Sequence, residues 1–114
     1  NELSGLKNIE YSFVGRYENA KVYEFYSNNR VDVFLNPSLS EGVPVSIMEA
    51  MSCHIPLIAP DIGGIKDMLI HYHNGLLLSR ECPIAEIVAS LKNINFFKKS
   101  EIRENSYKLF LEKY

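Results

Sequence analysis

Short apolar runs alternate along the chain with segments of helical periodicity, and this alternation constrains the fold more than any other feature. Candidate strands are IEYSFVG, VDVFLNPS, IPLIAP and GLLLS, each ending in residues that favour turns. Helical character is predicted for segments 19–29, 44–52, 65–70 and 83–94, and for the stretch from Ser100 onward. Alternating strands and helices predict an α/β fold with a Rossmann-like, doubly wound parallel sheet.

Local signals predict how the last two helices are built. Pro83 suits a first helical turn, and one apolar stripe should follow it, formed by Ile84, Ile87, Val88, Leu91 and Ile94. Ser100 is the candidate N-cap of the final helix, which should bury Ile102, Leu109 and Phe110 on one face. No internal repeat, linker or low-complexity segment interrupts the series, so residues 1–114 are expected to form one domain.

The composition excludes several classes of function. A net charge of −2 with scattered basic residues argues against a nucleic-acid surface. The one adjacent basic pair, Lys98 and Lys99, is predicted to be a solvated helix end. Cys53 and Cys82 lack the spacing of a zinc site or a disulfide framework. The two histidines of the sequence HYH are expected to lie in a solvated loop, with metal binding as the weaker alternative.

No apolar run is long enough to cross a membrane, and no signal peptide is recognisable. We therefore expect a cytoplasmic protein, with peripheral attachment to the inner face of a membrane left open. The chain starts at Asn1 rather than Met, so an excised fragment is expected.

The loop after the second candidate strand, NPSLSEGVP, is where an α/β sheet would bind a ligand. Pro44 fits the first position of the next helix, whose amides at Val45, Ser46 and Ile47 would be free to bind an anion. Gly42 allows a ligand to approach the backbone closely. Phosphate is the natural guest of such a helix terminus.

Two glutamates flank this predicted phosphate site. Glu49 lies five residues after Pro44, roughly 7 Å along the axis, and helical side chains tilt back toward the N-terminus. It could accept hydrogen bonds from a ribose diol, and Glu41 on the loop could accept them from a second sugar. The alternative from spacing alone is that both are solvated acids without a role in binding.

The region resembles the donor-binding half of the family 4 retaining glycosyltransferases, which have the two-lobed GT-B fold. The motif that carries the resemblance consists of Pro37, Ser38, Glu41, Gly42, Pro44, Glu49, Ala50 and Met51. IPLIAPDIGGIKDML and NGLLL continue it, so that it covers about residues 9–95. The resemblance implies the partial C-terminal lobe of a GT-B enzyme, truncated on its N-terminal side.

The resemblance also implies a role for each residue of the site. Glu49 would bind the ribose hydroxyls of a nucleotide sugar, and Glu41 would be the catalytic residue that positions the transferred sugar. The diphosphate would be held by backbone amides and a hydroxyl at Gly42, Val43, Val45 and Ser46. Arg16 would contact the nucleobase, and the equal alternative is that it is a surface arginine without a role in binding. Gly63 and Gly64 are more simply explained as a structural turn than as a ligand contact.

The chain departs from the family pattern in two respects. His54 stands where the family has Gly after the helix, at a left-handed C-cap that His tolerates less well. The Arg and Lys that neutralise the diphosphate would precede Asn1, as would the acceptor-binding lobe. Because a developing diphosphate charge needs such cations, we expect the isolated chain to be inactive, although its parent is an enzyme.

For the parent, the resemblance implies transfer of a hexose from a UDP- or GDP-sugar to an acceptor hydroxyl, with retention, in glycan or polysaccharide biosynthesis. The family works without a bound metal, and no cofactor beyond the donor substrate is expected. The acceptor, a glycan or a lipid-linked molecule, would bind the missing lobe. Two alternatives stay open: a GT-B type nucleotide-sugar epimerase, and a nucleotide-binding or scaffolding domain without chemistry.

Overall fold

The computed structural model describes residues 19–37 and 45–114. Within them lie the helices α1 (Asn19–Asn28), α2 (Val45–Ser52), α3 (Ile84–Lys92), α4 (Ile94–Phe97) and α5 (Ser100–Lys113), the strands β1 (Phe34–Leu35), β2 (Leu57–Pro60) and β3 (Gly75–Leu78), and a 3-10 helix at Gly63–Asp67. The predicted strand IEYSFVG falls outside the described residues. No helix of the described part is both long and apolar enough to cross a membrane.

The strands form a parallel sheet in the order β1-β2-β3, which confirms the predicted α/β architecture. Phe34 pairs with Leu57, and Leu57 pairs in turn with Gly75. Every residue of β2 is buried, as expected for a central strand covered on both faces.

Helices cover both faces of the sheet. On one face, Leu57 and Ala59 pack in a core cluster with residues of α2, α5 and the 3-10 helix. On the other face, Ile58 packs with Phe97 of α4 and with partly buried residues of α3. The alternation of side chains along β2 therefore divides the core in two, which makes the sheet doubly wound.

Several predicted boundaries differ from the structure. The strand predicted over 31–38 is hydrogen-bonded as a strand only at Phe34–Leu35, and the helix predicted at 65–70 is the 3-10 helix Gly63–Asp67. The helix predicted over 83–94 ends at Lys92, and Ile94 belongs to α4. The break between the two helices lets Phe97 point into the core, where it is fully buried. At the other end of the predicted apolar stripe, Ile84 is 53% exposed.

The predicted N-cap of α5 is wrong by one residue. Lys99 has the extended backbone of the cap, and its carbonyl accepts hydrogen bonds from the amides of Ile102 and Arg103. Ser100 is instead the first residue inside the helix. The rotation of α5 about its own axis is fixed by its buried side, where the Ser106 hydroxyl donates to the Ile55 carbonyl at 2.8 Å.

His54 adopts the left-handed conformation predicted for it, with φ of 63°. The amide of Ile55 donates to the Ala50 carbonyl and that of His54 to the Met51 carbonyl, which is the Schellman ending of α2. The His54 ring stacks on Tyr107 of α5 at 4.2 Å. This stacking offsets part of the strain of a non-glycine residue in this conformation.

Candidate functional site

The three strands end at the same edge of the sheet, which we call the carboxyl edge. It is formed by the residues that follow the strands, Asn36, Asp61 and Ser79. The Asn36 amide donates to the Ile58 carbonyl and the Asp61 amide to the Leu78 carbonyl, so the backbone stays paired up to this edge. Parallel α/β sheets bind ligands beyond this edge, where the loops diverge.

Helix α2 starts at the carboxyl edge, because it connects the end of β1 to the beginning of β2. Its first residues, Val45 and Ser46, are exposed, and Val45 keeps 58% of its surface accessible. From Ile47 onward the inner face is buried against the core. The first residues of α2 are thus accessible to solvent, whereas the inner face of the rest of the helix is packed against the core.

Glu49 differs from the other acids near this edge. It keeps only 8% of its surface accessible, and its Oε2 atom exposes less than 1 Å² and has no hydrogen-bond partner among residues 19–37 and 45–114. A buried carboxylate oxygen without a donor costs free energy, and native structures rarely keep one without a reason. The arrangement suits a carboxylate whose donor arrives with a ligand.

Two other acids near this edge, Asp61 and Glu86, already have partners. The Asp61 carboxylate lies 3.3 Å from the Lys66 ammonium. The Glu86 carboxylate accepts the Ser79 amide at 2.9 Å, and hydrogen bonds from the Ser79 side chain and then its backbone lower the pKa of Glu86. Glu49 differs from these acids because, among the described residues, its Oε2 is buried without a hydrogen-bond donor.

Tyr26 of α1 belongs to the surroundings of Glu49. Burial raises the pKa of Tyr26, and the negative charge of Glu49 and then of Cys53 raises that pKa further. The sequence predicted only that Tyr26 lies in the helical segment 19–29. Its closeness to Glu49 depends on how α1 packs on α2, which periodicity does not encode.

The remaining predicted site residues are distributed as follows. Val45, Ser46 and Glu49 share helix α2, so the structure brings these three together. Glu41, Gly42, Val43 and Arg16 lie outside the described residues.

The Gly63–Gly64 pair opens the 3-10 helix after β2. Gly63 has φ of 54°, a conformation that favours glycine, which agrees with the structural turn preferred from the sequence. This 3-10 helix holds Lys66 next to Asp61 at the carboxyl edge.

The two histidines of the HYH sequence are exposed, and His71 has a structural contact. Its Nδ1 accepts the Leu77 amide at 2.9 Å. Within ranges 19–37 and 45–114, no group of three or more His, Cys, Asp or Glu side chains could hold a metal ion.

The sequence profile of the glycosyl transferases group 1 matches residues 4–108. The chain belongs to this family. The glycosyl transferases group 1 match includes every residue of the predicted site, from Arg16 to Glu49, and nearly all of the described fold.

Three curated relatives illustrate the range of the family. The chain is 34% identical over 82 residues to a GDP-mannose-dependent alpha-mannosyltransferase of Mycolicibacterium smegmatis, covering 69% of this chain and 21% of the relative. It is 40% identical over 58 residues to the O-antigen biosynthesis glycosyltransferase WbnH of Escherichia coli, covering 51% and 17%. It is 30% identical over 64 residues to sucrose synthase of Solanum tuberosum, covering 56% and 8%. The chain thus spans about a fifth or less of each relative.

Proposed function

We propose that this chain binds the nucleoside diphosphate part of a sugar donor for a retaining glycosyltransferase. The observation that carries the proposal is the buried Glu49 carboxylate, whose Oε2 has no partner in the described part of the chain. A ribose diol supplies two hydroxyl donors, and a hydroxyl bond to a carboxylate is among the stronger hydrogen bonds of proteins. Family membership supports a sugar donor rather than a free nucleotide.

The open start of α2 would hold the diphosphate. The amides of Val45 and Ser46 lie in the first turn, where the helix dipole favours negative charge and no acidic side chain opposes it. The Ser46 hydroxyl would add a donor to a phosphate oxygen. The ribose on Glu49 and the phosphates at the start of the same helix would then lie about one turn apart.

Glu41, Gly42 and Val43 complete the proposed site. We assign Glu41 the role of positioning the transferred sugar and stabilising the charge that develops at its reacting carbon, with the two amides after it binding the diphosphate. Arg16 would contact the base. In the parent protein, a hexose would pass to a hydroxyl of a glycan or lipid-linked acceptor in polysaccharide biosynthesis, in the cytoplasm and without a further cofactor.

The experiment measures nucleotide affinity after removing either the two ribose hydroxyls of the ligand or the Glu49 carboxylate of the protein. GDP and UDP are titrated against the chain, and each is compared with its 2′,3′-dideoxy form. We expect the hydroxyls to improve the affinity of the preferred nucleotide by roughly tenfold or more, as for a charge-assisted hydrogen bond. In Glu49→Met, the two forms should bind equally weakly.

Glu112→Met is the matched control, because Glu112 is exposed on α5 and the change in charge is the same. It should keep the preference for the ribose form. Equal binding of the ribose and dideoxy forms to the unaltered chain would contradict the ribose role of Glu49.

The role of Glu41 is tested in the full-length protein with Glu41→Ala. Sugar transfer should be lost while the nucleotide still binds, since Glu41 is assigned to the sugar and not to the ribose. The 114-residue chain alone is expected to bind the nucleotide without turnover. Release of an epimerised free sugar by the full-length protein would instead favour the epimerase alternative.

A further inference from the structure

A cleft lies at the edge of the sheet opposite the carboxyl edge, where the strands begin. It has a volume of about 390 Å³ and is lined by Arg30, His54, Lys98, Ser100, Arg103 and Glu104. Arg30 precedes β1 and His54 precedes β2, which places the cleft at the amino edge. The start of α2 and the proposed donor site lie at the other edge, so the two sites are separate.

The cleft concentrates positive charge in a chain whose net charge is −2. Three of its lining side chains are cationic and one, Glu104, is anionic. Arg30 is paired with Asp32 at 3.2 Å. Within the described ranges, Lys98 and Arg103 form no ion pair with a carboxylate.

Arg103 is the cation that the fold holds most firmly. Its Nη1 donates to the Val31 carbonyl at 2.8 Å, which leaves other N–H groups of the guanidinium for a further partner. Burial lowers the pKa of Arg103, and the like charge of Arg30 lowers it further, while Asp32 acts in the opposite direction. The Arg103 guanidinium is thus partly desolvated near a second guanidinium, and Asp32 supplies a nearby negative charge that acts in the opposite direction.

The other walls of the cleft are also ordered by the fold. His54 is fixed by the Schellman ending of α2 and by stacking on Tyr107. Ser100 opens the 14-residue helix α5, so its backbone contributes the positive end of a helix dipole. Lys98 lies in the exposed turn between α4 and α5, and its long side chain can reach a guest.

We propose that this cleft binds a phosphate group, carried either by a small molecule in solution or by a lipid headgroup. Arginine and lysine together with a helix start form the donor set that phosphate oxygens accept most readily. The Glu104 carboxylate can accept a hydroxyl of the molecule that carries the phosphate. The volume of the cleft accommodates a phosphate ester rather than a bare ion alone.

The test follows the backbone amides of His54, Ser100 and Glu101 by NMR while inorganic phosphate or glycerol 3-phosphate is added. A parallel assay measures sedimentation with phosphatidylcholine vesicles, with and without phosphatidylglycerol. Lys98→Met should weaken binding by roughly fivefold, as expected for one charge at a partly exposed site. Because Lys98 is exposed, the variant keeps the fold.

Lys99→Met is the matched control, since Lys99 is adjacent, carries the same charge and does not line the cleft. It should change affinity by less than about twofold. Saturable shifts with the soluble phosphates support a small-molecule guest. Binding only to phosphatidylglycerol vesicles, with the same difference between the lysine variants, supports a lipid headgroup. No binding in either assay, or an equal loss in both variants, overturns the proposal.

Discussion

Replacing Glu49 by Met should make the free chain more stable while it weakens nucleotide binding by roughly tenfold or more. The carboxylate keeps 8% of its surface accessible, and its Oε2 has no donor within the described residues. A buried group left without a partner costs roughly 1–3 kcal/mol. Met has nearly the same length and helix propensity, so the fold of α2 should not be penalised. We expect a net gain of about 1 kcal/mol in the free energy of unfolding.

Urea denaturation of both proteins measures this gain, and thermal unfolding should show it as an increase in Tm of about 4–8 °C for a domain of this size. At one fixed concentration, the preferred nucleotide should stabilise the unaltered chain more than Glu49→Met, because the variant binds it more weakly. Glu112→Met serves again as the control and should stay within about 0.5 kcal/mol. A loss of more than about 1 kcal/mol in Glu49→Met would refute the reasoning, because the carboxylate would then be stabilising the free fold.

Three further changes test the scaffold. Gly75→Ala should destabilise the fold by roughly 3 kcal/mol or more in urea denaturation, because a Cβ there would lie 1.9 Å from the Leu57 carbonyl oxygen. Asn74→Ala should cost roughly 2–3 kcal/mol by the same measurement, since its buried side chain accepts the Ile70 amide at 2.8 Å and donates to the Met68 carbonyl at 2.9 Å. Glu86 should titrate below a normal glutamate in a carboxyl NMR titration, because hydrogen bonds from the Ser79 side chain and backbone lower its pKa. Because the pKa of Glu86 is lower in the folded state than in the unfolded state, the contact stabilises the fold fully at pH values above the unfolded-state pKa. This stabilisation is lost as the pH falls through the folded-state pKa. Glu86→Gln should remove this pH dependence of stability.

The sequence alone was sufficient to predict the α/β class and the position of the central strand. Runs such as IPLIAP are apolar at every residue, which is typical of a strand buried on both faces, and β2 is fully buried. For β2, the local pattern and the global fold demand the same structure. The left-handed conformation of His54 was predicted from the family resemblance, which implies a glycine at this C-cap.

Other features depend on packing that local patterns do not encode. The apolar stripe from Ile84 to Ile94 looks continuous, yet the helix breaks at Asn93 because Phe97 is buried under the sheet only after a change of direction. Ser100 has a side chain that is preferred at N-caps, yet Lys99 is the N-cap of α5. The side of α5 that is buried against the core determines where the helix begins.

The candidate site shows the same division. Spacing predicted that Glu49 lies on α2 behind an open helix start. It could not show that its carboxylate is buried, or that Tyr26 from another helix lies close enough for the charge of Glu49 to raise the pKa of its phenol.

Within the described residues, the two edges of the sheet differ in the kind of group that they offer to a ligand. At the carboxyl edge it is a buried carboxylate oxygen without a hydrogen-bond donor, which suits hydroxyl groups. At the amino edge it is Lys98 and Arg103, two cations without an ion pair, which suit phosphate. Each arrangement costs stability in the free chain, and stability alone would favour apolar or paired groups at these positions. Groups that lower the stability of the free chain are expected at ligand-binding sites, because the ligand supplies the partner that the fold lacks. Opposite chemistry at opposite edges therefore argues for two distinct ligand groups rather than one extended site.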